Sequence, residues 1–425
     1  MTIILSDTQA RAIAEIRDWY LNRRHTQQVF RLFGYAGSGK STITRHAIDA
    51  LGLEIGSGRR WAGVQFAAST GKAALVMTRK GTPASTIHSL IYRVSEATPE
   101  EIARVRKELA DLKASLFLMG SAEQAFARTQ IACLELRLAH IHEPRFILND
   151  QSPVRDCDLI VLDEVSMVGE EMANDLLAFG KPILVLGDPG QLPPIKGEGA
   201  FTSSAPDVML HEIHRQAAES AIVRLATMAR KGEEIAHGAH DEFVWKMRRS
   251  DVTPAQMLNG GQVICARNVT RRMLNTAMKA AAGFAGAYPT GAAEKIICLK
   301  NRADLGIVNG QFLSLTDVRA VDRLSFTAAV TTEDGQQVAG RPRFYTGHYD
   351  DHLAFDPERP RRDWLEMKGL VETCWGYAIT CHKAQGSQFP TAVVLDEGFG
   401  SSPVDRNRWL YTAITRAEWG LVILS

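Results

Sequence analysis

Residues Gly34–Ser41 read GYAGSGKS, which sets glycines, a lysine and a serine at the spacing of a phosphate-binding loop. The apolar run Val29–Phe33 precedes the loop and a helix-compatible stretch, Ser41–Leu51, follows it. In that context Gly34, Gly37 and Gly39 let the backbone turn tightly and, with Ser38 and Thr42 in the loop and first turn, aim amides at phosphate oxygens. Lys40 is placed to reach the β- and γ-phosphates, and the Ser41 hydroxyl to ligate Mg²⁺. Leu159–Ser166, LIVLDEVS, is a buried-strand pattern ending in adjacent carboxylates. Asp163 suits the magnesium carboxylate at a strand end, and Glu164 the base that orients an attacking water. Leu186–Ile195, LGDPGQLPPI, adds Gln191, and Tyr411–Ala417, YTAITRA, adds Arg416. Charge spreading over a leaving phosphoryl group needs cationic help, and an arginine finger is worth about 10³–10⁵ in rate. Arg416 and Arg215, in EIHRQ, are the candidates. A site drawing on such distant segments points to a motor ATPase that uses ATP and Mg²⁺. A second carboxylate pair, Asp396-Glu397 after Val393–Leu395, has no phosphate loop in its half of the chain and reads as structural or rim.

Elements must position these groups. Strand-like and helix-like stretches alternate through residues 1–95: strands Val29–Phe33 and Val64–Ala68, and a helix starting in Gly71–Thr78. The series resumes at Leu159–Leu162 and Ile183–Leu186, as in a parallel sheet with helices on both faces. Between them, Ile102, Val105, Leu109, Leu112 and Leu116, then Ala127, Ile131, Leu134, Leu138 and Ile141, form two heptad-like stripes around the break Gly120-Ser121. They predict an antiparallel helical hairpin, either packed flat as core or projecting as an arm. Phe146–Leu148 is expected to form a short β-hairpin with the stretch leading into Leu159. A second α/β unit is expected from near Leu210, with strand Gln262–Ala266 and helix Thr270–Ala282. Lys295–Leu299, Gln311–Asp317 and Leu324–Thr331, with the turn Asp334-Gly335, predict a small β-barrel-like insert. Val371–Ile379, Ala392–Leu395 and Gly420–Leu424 return to α/β patterning.

At 425 residues the chain has room for two or three domains, and 45% hydrophobic with 23% charged residues is ordinary for a globular protein. The net charge of +1 provides no global basic field, so any nucleic-acid contact depends on local Lys and Arg placement. Cys133, Cys157, Cys265, Cys298, Cys374 and Cys381 form no C-x-x-C pair, and His211 with His214 misses the metalloprotease spacing by one residue. His348 and His352 have helical spacing but lie in an Asp-rich, turn-like stretch. No signal peptide or bilayer-length apolar run is seen, so a cytoplasmic protein without membrane contact is expected.

The ordered series LSDTQARAI, GYAGSGKST, STGKAA, STIHSL, LDEVSMV, GDPGQLPPI, LHEIHRQ, NGQFLSL, YAITCHKAQGSQF and YTAITRA resembles superfamily 1B DNA helicases, the RecD-like and phage Dda-like 5′→3′ branch. The resemblance implies two RecA-like parallel-sheet domains, residues 1–95 with 146–209 and residues 210–293 with 371–425. It also implies an inserted helical or pin domain at 96–145 and an SH3-like β insert at 294–370. By resemblance Gln9 reads the adenine edge, Gln191 senses the γ-phosphate, and Arg215 and Arg416 close the cleft from the second domain. Thr70, Lys72, Thr86, His88, Thr380, His382 and Lys383 line the single-strand track. Phosphate contacts of that kind give affinity without sequence choice. The Leu-Pro-Pro ending of GDPGQLPPI is typical of 5′→3′ relatives. Two departures stand out: Gln388 replaces the family's usual Glu beside the nucleotide sugar, and the stripes at 99–142 are longer than a compact β-pin. The implied activity is unwinding of duplex DNA by a monomeric motor on single-stranded DNA and duplex junctions. The alternatives are a RecD-like motor subunit in a repair or nuclease complex, docked through the 96–145 arm, an RNA helicase, and a signalling ATPase indifferent to nucleic acid.

Overall fold

A computed structural model of the chain describes residues 5–56, 63–141, 145–194, 197–212, 220–291, 293–350 and 367–425. The chain divides into two compact units, residues 1–90, 153–355 and 370–425, and residues 91–152 with 356–369.

The larger unit is built on three sheets. The first takes β1 (Val29–Gly34), β2 (Val64–Ala68) and β3 (Ala84–Thr86). The smaller unit supplies β4 (Tyr92–Ser95) and β5 (Arg145–Leu148) before β6 (Leu159–Asp163), β7 (Ile183–Gly187) and β8 (Val208–Leu210) complete that first sheet. Its order is β3-β2-β6-β7-β1-β8, parallel throughout. β7 is buried at every position, as its unbroken apolar run requires of a strand covered on both faces, and so is β2, Gln65 included. Helices α1 (Asp7–Asp18), α2 (Lys40–Leu51) and α3 (Gly71–Arg79), then short α4 (Ile87–Ile91), alternate with these strands. Trp19, Phe30, Leu32, Ile43, Phe66, Leu159 and Leu184 form this domain's core. The chain crosses to the second α/β domain later than Leu210, because β8 pairs with β1, Leu210 opposite Gly34, and so closes the first sheet.

The second parallel sheet contains β9 (Gly238–Asp241), β10 (Val244–Met247) and β11 (Gln262–Cys265). The third, antiparallel, comprises β12 (Ile296–Cys298), β13 (Phe312–Asp322), β14 (Ser325–Thr332), β15 (Arg343–Tyr345) and β16 (Thr373–Trp375). β17 (Ala378–Thr380), β18 (Phe389–Leu395) and β19 (Ala417–Leu424) return to the second, whose order is β17-β11-β18-β19-β10-β9 with only β9 antiparallel. The expected Val371–Ile379 stretch therefore splits between two sheets: Thr373–Trp375 pairs antiparallel with β12, while Ala378–Thr380 pairs parallel with β11. Gly376 makes the switch, where a β-carbon would lie 2.9 Å from the Phe312 ring, and the Gln262 amide donates to the carbonyls of Gly376 and Tyr377, each at 3.2 Å. The alternation at Phe326, Ala328 and Val330 faces a core that the antiparallel sheet shares with Val263, Val393 and Leu395 of the parallel one. β13 outruns its expected end because a bulge, with Asp317 at φ 51°, absorbs the register shift and lets pairing continue to Asp322.

The smaller unit is the helical hairpin, α5 (Pro99–Ser115) and α6 (Ser121–Ala139). Thr98 caps the first helix, accepting from Glu101 N–H. Val105, Leu134 and Ile141, with Ile102, Leu109, Leu112 and Leu138, make a narrow core of its own. β4 and β5 pair antiparallel at its base, Tyr92 opposite Leu148. This corrects the partner expected for Phe146–Leu148: the residues before Leu159 are occupied by a turn of helix, Pro153–Asp156, and the nearest free alternating strand is Tyr92–Ser95. The tip carries Phe117 and Leu118, 88% and 89% exposed. Among the described residues no helix is long and apolar enough to cross a membrane.

Candidate active site

The catalytic candidates stand at the carboxyl ends of parallel strands, where α/β sheets gather ligands. The phosphate loop leaves β1 and feeds α2, with Gly37 and Gly39 at φ 80° and 82°. A β-carbon on Gly34 would collide with Ser38 Oγ and come within 2.9 Å of Leu210 Cβ, so the turn requires glycine there. Lys40 Nζ donates to the carbonyls of Gly34 at 2.6 Å and Tyr35 at 3.3 Å, which folds the ammonium over the loop. Gln9, fixed in the capping box of α1, reaches the Ser38 carbonyl at 3.5 Å.

Asp163 ends β6 and accepts from Glu164 N–H at 2.8 Å. Desolvation, then the charge of Glu164, raises its pKa above the usual carboxylate range, against the pull of Lys40 and Lys80. Glu164 adopts φ 52°, a left-handed conformation uncommon outside glycine, and its carbonyl accepts from Ser69 Oγ at 3.0 Å. From the β7 end, Asp188 and Gln191 join them. Asp188 is also raised, first by burial, while Lys40 opposes the shift.

The second sheet completes the cleft. Arg416, 4% exposed, donates to the carbonyls of Thr412 and Ser387 at 3.1 and 3.3 Å and to Thr415 Oγ1 at 3.1 Å, so its guanidinium is held by its own domain. One cavity of about 570 Å³ is lined by Gly37–Thr42, Asp163, Glu164, Asp188, Gln191, Gln388 and Arg416. Gly34 and Gln9 are not among its lining residues, and Gln9 meets the loop at the Ser38 carbonyl. Arg215 falls outside the described residues, as does His352. Ser38 Oγ and Gln191 Oε1 are buried without a protein hydrogen-bond partner. Orphaned acceptors and donors of that kind, beside a folded-back lysine and a carboxylate pair, fit a phosphate group with its metal.

Four hydrogen bonds across the cleft were not anticipated. Tyr411, in the helix Pro403–Ile414, donates from Oη to Asp188 Oδ2 at 2.6 Å and accepts from Ala36 N–H at 2.9 Å. Leu192 N–H donates to Thr412 Oγ1 at 3.0 Å, and Gln385 Nε2 to the Leu192 carbonyl at 3.1 Å. Arg230 lies 3.7 Å above the Tyr35 ring. Tyr411 and Asp188 lie inside the quoted motifs YTAITRA and GDPGQLPPI, which was the only sequence signal for them.

The track candidates also follow parallel strands: Thr70 after β2, Thr86 at the end of β3, Thr380 at the end of β17. Thr70 caps α3 by accepting from Ala73 N–H, and Thr86 Oγ1 donates to Ser89 Oγ at 2.9 Å. His88 is exposed, Thr380 is buried, and His382 and Lys383 are half-buried; desolvation lowers the pKa of both histidines and of Lys383. Lys72 does not face an open track. It is 6% exposed, pairs with Glu333 at 3.2 Å and lies over the rings of Phe312 and Phe389, because the antiparallel sheet packs its turn against α3. The carboxylates after β18 are structural: Glu397 accepts from the N–H groups of Ala266 and Arg267 ahead of the helix Asn268–Ala281, and Asp396 pairs with Arg406 at 3.5 Å.

Residues 5–246 match a family model described as an AAA domain, and residues 376–424 one described as a UvrD-like helicase C-terminal domain. The ATP-dependent RecD2 DNA helicase of Deinococcus radiodurans is 27% identical over 414 residues, covering 91% of this chain and 45% of that protein. The chain thus spans less than half of that relative's length. Bacteroides Pif1 bound to single-stranded DNA has the same fold, with a TM-score of 0.54 at 17% identity, covering 99% of this chain and 92% of that one. The Pif1 helicase from Candida albicans gives 0.50 at 17% identity, covering 100% and 95%.

Proposed function

The chain belongs to the AAA-domain family, among the superfamily 1B helicases, and from that premise we propose that it hydrolyses ATP to move 5′→3′ on single-stranded DNA and open duplex ahead of it. The observation that carries this reading is the shared cavity: Lys40 from the first sheet and Arg416 from the second line one space, so that filling it draws the two domains together.

In this reading Gly34, Gly37, Ser38, Gly39, Lys40 and Thr42 cradle the phosphates, and Ser41 with Asp163 holds Mg²⁺. The metal, when bound, offsets charge on the phosphate oxygens. Glu164 orients water toward the γ-phosphorus, Gln191 contacts that phosphate, and Arg416, with Arg215, supplies positive charge as the bond breaks. Gln9 meets the adenine edge, and Gln388 hydrogen-bonds the sugar without the charge of the family's usual glutamate. Thr70, Thr86, His88, Thr380, His382 and Lys383 hold strand phosphates on two domains that approach and part with each turnover. In this reading the second RecA-like domain begins after β8, and the β insert continues beyond residue 370 through Trp375, because β16 pairs with β12.

The test is opening of matched duplexes carrying a 5′ or a 3′ single-stranded tail, with ATP and Mg²⁺. Opening of the 5′-tailed duplex alone is expected; opening of the 3′-tailed one reverses the polarity. Opening of neither, with DNA-stimulated ATP hydrolysis intact, fits a translocase or RecD-like motor subunit acting within a larger assembly. The exposed Phe117 and Leu118 at the hairpin tip favour that second reading.

A further inference from the structure

The pocket around Lys72 is more cationic than its partners require. Lys72 Nζ lies 4.7 Å from the Phe312 ring centroid and Lys295 Nζ 5.2 Å from the same centroid. Lys72 has Glu333, but among the described residues Lys295 has no carboxylate within ion-pair distance. Desolvation and the charge of Lys72 push Lys295 down to about 8. Lys72 therefore has a carboxylate partner, while Lys295, over the same aromatic ring, has none among the described residues. Its contacts are those a phosphate would take: Glu333 Oε2 accepts from Lys72 Nζ at 3.2 Å and from Phe312 N–H at 3.4 Å, while Oε1 faces Arg79 NH1 at 3.9 Å. Arg79 also pairs with Asp334 at 2.9 Å. The Glu333 backbone is tied separately, its N–H donating to the Phe312 carbonyl at 3.1 Å, so the side chain can leave while the turn stays in place. The pocket abuts α3, whose cap is Thr70.

We propose that Glu333 holds the place of a strand phosphate, in a subsite made by Lys72, Lys295, Arg79 and the Phe312 amide, and that single-stranded DNA binds there by displacing it. This rests on the reading of the chain as a motor on single-stranded DNA. A phosphodiester brings two unesterified oxygens on one negative centre, which satisfies Lys72 and the Phe312 amide as the carboxylate does. Its neighbour along the strand then supplies the charge that Lys295 lacks. A buried lysine on the first domain thereby becomes a strand contact only once the insert's turn has released it.

The experiment is fluorescence-anisotropy titration of labelled oligo-dT, without nucleotide, over a series of salt concentrations, on the full chain and on Glu333→Gln and Lys295→Gln. Glu333→Gln removes the competing charge. It is expected to bind several-fold tighter, with a log K against log salt slope steeper by about 0.7, one further phosphate on a single strand. Lys295→Gln is expected to bind several-fold more weakly, with a slope shallower by about 0.7. Unchanged or weaker binding by Glu333→Gln, at a wild-type melting temperature, overturns the displacement. Should that variant not fold, an unchanged slope in Lys295→Gln overturns the subsite alone. Absence of oligo-dT binding by the wild-type chain defeats the motor reading itself, a result distinct from the others.

Discussion

Tyr411 hydrogen-bonds both ways across the cleft, to Asp188 of the β7 end and to Ala36 of the phosphate loop. Tyr411→Phe leaves a buried Asp188 oxygen without its donor, a cost of about 1–3 kcal/mol. The expected outcome is a fall in kcat for DNA-stimulated ATP hydrolysis with a smaller change in KM, since the residue bonds the phosphate loop to the second domain without lining the cavity; steady-state kinetics checks it. An unchanged kcat would make Tyr411 a packing residue only. At this scale the sequence was legible where chemistry is local. The spacing of Gly37, Gly39, Lys40 and Ser41 is itself the loop, and Asp163 with Glu164 ends a strand as its apolar run implies. Pairing across 223 residues, as between Tyr411 and Asp188, leaves no periodic trace. The burial of Lys72 was illegible for the same reason: nothing near it in sequence reveals Glu333, 261 residues away.

Among the elements, strands buried on both faces were the most readable, because continuous apolar runs such as Ile183–Gly187 have few other uses. Short segments were not. Thr373–Trp375 and Ala378–Thr380 are equally apolar, and what sends them to different sheets is the close approach of Gly376 to Phe312. The helical hairpin was legible from its stripes, whereas the β4–β5 pairing at its base depends on segments that the hairpin itself separates. Because Val105, Leu134 and Ile141 pack with one another, removing 99–142 and joining the stem should leave the larger unit folded. The shortened chain is expected to remain soluble and to keep DNA-stimulated ATP hydrolysis while losing duplex opening. ATPase and strand-separation assays run in parallel check this, and aggregation of the shortened chain would count against it.

For the whole molecule, the cavity shared by two sheets links nucleotide binding to stability. A ligand present at about 100 times its Kd stabilises the state it binds by about 2.7 kcal/mol. A non-hydrolysable ATP analogue with Mg²⁺ should therefore raise Tm in a single transition, as read by calorimetry, and Lys40→Ala should abolish the rise. If only part of the unfolding profile moved, the two domains would be closing independently. The bond from Ala36 to Tyr411 has a consequence in time as well, since it joins residues 375 apart. At about 5–20 residues per second, a ribosome that has delivered the phosphate loop needs roughly 20–75 s more before Tyr411 and Arg416 emerge. For the last part of that interval the nascent polypeptide carries its phosphate loop and Arg215 but not Arg416, so the arginine pair of the proposed mechanism is incomplete. On the proposed mechanism, a chain released early by a premature stop is expected to be a silent by-product that does not drain the cell's ATP.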